Sequence, residues 1–162
     1  MKEELRTLLG LLNKTFSTHR KLFLQKSKAH GLYIGQPQLL EYVRQHSGCT
    51  QTEIAENLNV SSASIAFSTK RLQNNGYLMK QVDHLNMRCN KLYVTHEGEE
   101  VMDGFQVDFD NMNLELFEGF SVPELEQLAS FAERVNNNME KMLTEEHPGE
   151  KLHKNSEPPR EI

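Results

Sequence analysis

The 162-residue sequence predicts a mainly α-helical chain with one small β-hairpin, a winged helix-turn-helix flanked by N- and C-terminal helices. Three observations lead there. Residues 51–65 have the residue sizes needed where two short helices cross at a tight turn. Two β-prone runs, 77–82 and 91–95, follow directly and enclose a polar loop, DHLNMRCN. Long stripes of apolar residues at helical spacing precede and follow this module.

Residues 3–28 read as an amphipathic helix, with Leu5, Leu8, Leu9, Leu12 and Phe16 on one stripe and Leu22 and Phe23 further along. Arg20, Lys21, Lys26 and Lys28 gather toward its C-terminal end, where the helix dipole favours cations, and His30-Gly31 stops it. A short helix over 38–45 follows Pro37, with Leu39, Leu40 and Val43 as its apolar positions. Thr50-Gln51-Thr52-Glu53 is a capping box, in which hydroxyl and carboxylate serve the backbone N–H groups that a first turn leaves free. It opens a third helix, and residues 57–60 make the turn. Ser61 caps a fourth helix that runs to about Asn75 and stops at Gly76. After the hairpin, Thr95 caps a helix whose buried stripe is Phe105, Phe109, Met112 and Leu116. Ser121 and Glu124 form a second capping box, with Pro123 in the first turn. The last helix carries Leu125, Leu128, Phe131, Val135, Met139 and Met142.

The expected organisation is a dimerisation helix at 1–30, the winged module at 35–95, C-terminal dimerisation helices at 96–145 and a disordered tail at 146–162. The tail is Pro-containing and poor in apolar residues. The terminal stripes are larger than one small module can cover, so a second copy is expected to cover them, making a homodimer.

Charge is unevenly distributed. Residues 1–96 hold 13 Lys/Arg against 6 Asp/Glu, and residues 97–162 hold 5 against 17, behind a net charge of only −5. A polyanion would meet the first part, and the acidic part should point away from it. No apolar run reaches the roughly 18 residues of a membrane span, so no membrane partner is expected. The N-terminus has acids in its first turn and no cleavage-site pattern, unlike a signal peptide. Two cysteines, Cys49 and Cys89, make no disulfide framework, which fits a reducing cytoplasm. With no Gly-rich phosphate loop, no supported Ser/His/Asp set and no metal-ligand spacing, the chain is not expected to be an enzyme or to carry a cofactor or metal.

The helix-turn-helix spacing has a steric logic. Ala55 is small where the second helix crosses, Asn59 stands where a left-handed backbone is needed, and Val60 and Ile65 should plug the angle between the helices. The fourth helix, SSASIAFSTKRL, bears five hydroxyl residues, Ser61, Ser62, Ser64, Ser68 and Thr69. Short polar side chains let a helix lie deep in a major groove and bond phosphates or base edges. Ser61, Ser62, Ser64, Phe67, Lys70 and Arg71 are therefore the candidate contacts to double-stranded DNA. Asn86, Arg88 and Lys91 join them from the hairpin, since an Arg at its tip suits the narrow minor groove. The alternative is a winged-helix module that binds protein and not DNA; the low charge of the fourth helix (Lys70 and Arg71 alone) and Asn86 favour it.

TQTEIAENLNVSSASIAFSTKRLQNNGYL, the junction LYVTHEGEEV and SVPELEQL together resemble the MarR family of bacterial transcription regulators, over about residues 5–145. The resemblance implies a triangular homodimer whose two winged modules straddle a pseudo-palindromic operator. It also implies a repressor released by a small ligand, with Gly98 letting the helix after the wing pack closely. Three positions depart from the family pattern. The wing reads Asn86-Met87-Arg88 where Asp-x-Arg is common, Phe67 stands where a basic residue is common, and Ser68 replaces a large apolar residue.

Redox-sensing relatives use a Cys near the N-terminal end of the first helix, and residues 1–30 have none; zinc-sensing relatives use His from the helix after the wing, and residues 97–120 have none. Cys49 reads as a small buried apolar residue and Cys89 as an incidental thiol, the alternative being a thiol whose pKa the adjoining Arg88 lowers. A small organic effector, or none, remains. In the family it sits between the DNA-binding module and the dimer helices, where Phe16, Phe23, Tyr33, Phe105 and Phe109 could line the cleft.

Overall fold

The computed structural model describes residues 1–82 and 90–146. The order is α1 (Lys2–Ala29), α2 (Gln36–Gln45), α3 (Gln51–Asn57), α4 (Ser62–Asn74), β1 (Leu78–Val82), β2 (Asn90–Val94), α5 (His96–Leu116) and α6 (Val122–Glu146). The predicted mainly helical fold with one antiparallel hairpin is the observed one. Leu78 pairs with Val94, and Val82 with Asn90. A short third segment joins the hairpin: Gly48 N–H donates to the Leu92 carbonyl, and Leu92 N–H donates to that of Cys49, both at 2.9 Å. Among the described residues no helix is long and apolar enough to cross a membrane.

Local chemistry sets the boundaries. Acids at Glu3 and Glu4 and cations at Lys26 and Lys28 complement the dipole of α1, which ends where Gly31 takes φ 71°. Helix α2 begins at Gln36, earlier than expected. Gly35 turns the chain with φ 79°, the Gln36 side chain closes the turn by accepting from Tyr33 N–H at 2.8 Å, and Pro37 needs no N–H partner in a first turn. The capping box of α3 is complete, with both the Thr50 and the Glu53 side chains bonded. At α6, Glu124 accepts from both the backbone N–H and the hydroxyl of Ser121, at 2.8 and 2.7 Å.

Two compact units divide the chain, Met1–Met112 and Asn113–Ile162. The first holds the core. Leu39, Leu40 and Val43 of α2, Ile54 and Ala55 of α3, and Ile65 and Leu72 of α4 close on Leu78 and Leu92 of the hairpin and on Met102 and Phe105 of α5. Helix α5 is clamped to α2 by Arg44, which reaches Glu41 at 3.0 Å, Asp103 at 2.9 Å and Glu99 at 3.7 Å. Met112 is buried as expected, Phe109 is half-buried, and Leu116 is exposed.

In the single chain α1 buries only Ser27, and α6, described by itself, buries no residue. Leu5, Leu8, Leu9 and Leu11 on α1 are exposed, as are Leu128, Phe131, Val135 and Met139 on α6.

Candidate nucleic-acid interface

The turn into α4 is built as its sequence requires. Asn59 is the one non-glycine among the described residues with positive φ, at 51°, and Val60 N–H returns to the Ala55 carbonyl at 3.0 Å. Ala55 is buried and Ile65 fills the angle between α3 and α4. Val60 does not: it is 44% exposed, because the left-handed residue before it directs the chain outward, and Leu58 packs against the core instead.

Ser61 caps α4, its hydroxyl accepting from Ser64 N–H at 3.2 Å and lying 2.8 Å from the Ser64 hydroxyl. Ser61, Ser62 and Ser64 are exposed, as are Phe67 and Lys70. Thr69 is different. It is fully buried, accepts from Gln51 Nε2 at 2.5 Å, and donates to the Ile65 carbonyl at 2.8 Å. One of the five hydroxyls therefore ties α4 to α3 rather than facing solvent. Ser68 is half-buried beside it.

Arg71 lies flat on Tyr33, its guanidinium carbon 3.5 Å from the ring centroid, with Phe67 of the preceding turn at 5.6 Å. Lys91 is half-buried at the base of the hairpin, and its charge helps hold Glu53 below the usual carboxylate range; the larger cause is the Thr50 N–H bonded to that carboxylate. Asn86 and Arg88 lie outside the described residues, as does Cys89.

The five aromatic candidates for an effector cleft separate into two sets. Phe23, Phe105 and Phe109 come together, with Phe23 edge-on to each of the other two at 5.6 Å. They line a cavity of about 360 Å³ with Pro37, Tyr42, Leu58 and Met102. Phe16 is 68% exposed on α1 and does not line it. Tyr33 does not line it either, because the Gln36 bond directs its loop toward α4. Glu41 is the one charged lining residue, and Arg44 and Gln45 both hold it. Cys49 is buried as expected, and burial, with Glu53 as a lesser cause, pushes its thiol up to about 11.

Sequence reading missed Gln51–Thr69, 18 positions apart, and His30–Asp108, 78 apart, the latter joining α1 to α5 at 3.0 Å. No local pattern encodes such pairs.

A helix exposing small hydroxyls and a cation, set across a crossing helix and backed by a hairpin, defines a winged helix-turn-helix protein. Residues 37–79 match the family model described as winged helix-turn-helix DNA-binding. The chain is 26% identical over 107 residues to the uncharacterized HTH-type transcriptional regulator YybA of Bacillus subtilis (strain 168), covering 66% of this chain and 71% of that one. It is also 26% identical over 127 residues to the HTH-type transcriptional regulator BilQ of Clostridioides difficile (strain CD3), covering 78% and 83%. The crystal structure of MarR superposes with a TM-score of 0.67 at 25% identity, covering 85% of this chain and 94% of that one. With these likenesses the chain is a DNA-binding transcriptional regulator of the MarR type.

Proposed function

We propose that the protein works as a homodimer on a pseudo-palindromic operator, as a repressor that a small organic effector releases. The observation that carries this reading is the outward face of α4, where Ser61, Ser62, Ser64, Phe67 and Lys70 are all exposed while Ile65, Thr69 and Leu72 hold the helix from beneath. Hydroxyls and backbone N–H groups at such an N-terminus suit phosphates and base edges, and Phe67 suits a thymine methyl. Lys70, Arg71 and Lys91 supply charge, and Asn86 and Arg88 remain the wing's contribution from sequence.

Dimerisation is supported by α1 and α6. A helix of 25 residues that buries none of its own side chains gains too little from backbone bonds to persist alone in water, so segments 1–30 and 96–145 are assigned to an interface with a second copy. The module at 35–95 would then be presented twice. The effector is assigned to the cavity beside Phe23, Phe105 and Phe109. Its lining has no cation, and its single carboxylate is already paired, so an uncharged flat apolar molecule suits it and an organic anion does not.

Selection from a random duplex pool tests the proposal. The expected product is a two-fold symmetric site, bound less tightly as salt rises because many contacts are to phosphate. Failure to enrich any duplex would favour the protein-binding module instead.

A further inference from the structure

We infer that Tyr33, in the loop between α1 and α2, is a positioning residue that aims Arg71 at the DNA backbone. The inference rests on the reading of α4 as the recognition helix.

Two arginines of this chain are held in opposite ways. Arg44 is surrounded by Glu41, Glu99 and Asp103, so its charge is spent within the fold. Arg71 touches two aromatic rings, and among the described residues no carboxylate or carbonyl oxygen accepts from its guanidinium. A ring takes the face of a guanidinium and leaves its edge, with the N–H donors, free to bond outward. A phosphate accepts from that edge in a two-pronged geometry that lysine cannot copy.

The platform beneath it is fixed before DNA arrives. Tyr33 N–H donates to Gln36 Oε1 at 2.8 Å, and Gln36 N–H returns to the Tyr33 carbonyl at 3.0 Å. Gln36 and Leu32 are both buried, anchoring the loop on each side. Tyr33 itself is 47% exposed, so its ring lies at the surface, where it can support a side chain that faces solvent. Freezing a flexible Arg in advance removes part of the side-chain entropy otherwise lost on binding.

Fluorescence anisotropy on the selected duplex tests this, with Tyr33→Phe, Tyr33→Ala, Arg71→Ala, Arg71→Lys and the double Tyr33→Ala/Arg71→Ala. Tyr33→Phe keeps the ring and should bind within about twofold of wild type. Tyr33→Ala should weaken binding about threefold to tenfold, with thermal stability and dimer size unchanged. Arg71→Ala should weaken it about tenfold or more and flatten the salt dependence by about one ion per half-site. Arg71→Lys, which leaves the loop untouched, should recover the salt slope but not the full affinity. The double variant should bind no worse than Arg71→Ala, because Tyr33 acts through Arg71. Wild-type affinity for Tyr33→Ala, or losses that multiply in the double variant, would overturn the inference while leaving the DNA-binding reading intact. A wild-type protein that enriches no duplex would overturn both.

Discussion

Replacing Thr69 by valine tests whether the buried hydroxyl is a structural tie between the crossing helices. Valine keeps the shape and removes the oxygen. The bond to the Ile65 carbonyl costs little to lose, because that carbonyl is in the helix ladder and the hydroxyl proton was shared with Ala66 at 3.1 Å. The cost falls on Gln51 Nε2, which loses a partner at 2.5 Å. A polar group left unsatisfied in a buried place costs ~1–3 kcal/mol, and Gln51 is only half-buried, so water recovers part of it. The added methyl returns some apolar burial. The net expectation is about 1 kcal/mol, which at a urea slope of about 2 kcal/mol per M lowers the unfolding midpoint by roughly 0.5 M. Protein concentration must be held fixed, because the midpoint of the proposed dimer would depend on it. Gln51→Ala alone should cost less, and a cycle of the two single variants and the double should show coupling of about 1 kcal/mol. A valine variant as stable as wild type, or strictly additive effects, would refute the assignment.

Gly98→Ala should destabilise by ~1–3 kcal/mol, despite alanine's higher helix propensity, since the new methyl would overlap the Tyr77 carbonyl oxygen and come within 2.7 Å of Val94 Cγ1; a raised melting temperature would contradict this. Folding raises the Cys49 thiol to about 11 from 9.0, so the unfolded chain loses its proton first and stability should fall as pH rises above about 9; Cys49→Ala, compared by urea titration, should lack that loss. Glu53 is depressed by the Thr50 N–H, so its contribution is present above the ordinary carboxylate value and is lost as pH falls through the folded one. Glu53→Gln should therefore cost under ~1 kcal/mol at neutral pH and nothing in strong acid, as read by urea unfolding at both pH values. Deleting residues 1–16 should give monomers or aggregates by light scattering, because the exposed stripe of α1 lies there; a soluble dimer would remove α1 from the interface.

Much of the fold is legible in the sequence because its signals are local. The capping residues at Thr50, Ser61 and Thr95 act within one turn, and Asn59 and Gly98 answer steric demands at single positions. The candidate site was legible only in part. On a helix Thr69 lies about 40° from Ile65 and Ser68 about 60° to the other side, so spacing alone does not decide which of them turns inward. The structure gives the place to Thr69, where Gln51 can reach it. Tyr33 is an aromatic in a short loop, and nothing local distinguishes a cleft lining from a support for an arginine. Phe23 and Phe16 share the stripe of α1, yet only Phe23 meets Phe105 and Phe109, since α5 faces that end of the helix.

The Thr95 hydroxyl donates to the Gly76 carbonyl at the end of α4 while it accepts from Gly98 N–H at the start of α5. Gly98 meanwhile leaves no room for a methyl against Tyr77. The joint has no slack, like an elbow set in plaster. Any torque on α5 must swing α4 and the hairpin with it, so a molecule wedged beside Phe105 would turn that group as one piece without bending it.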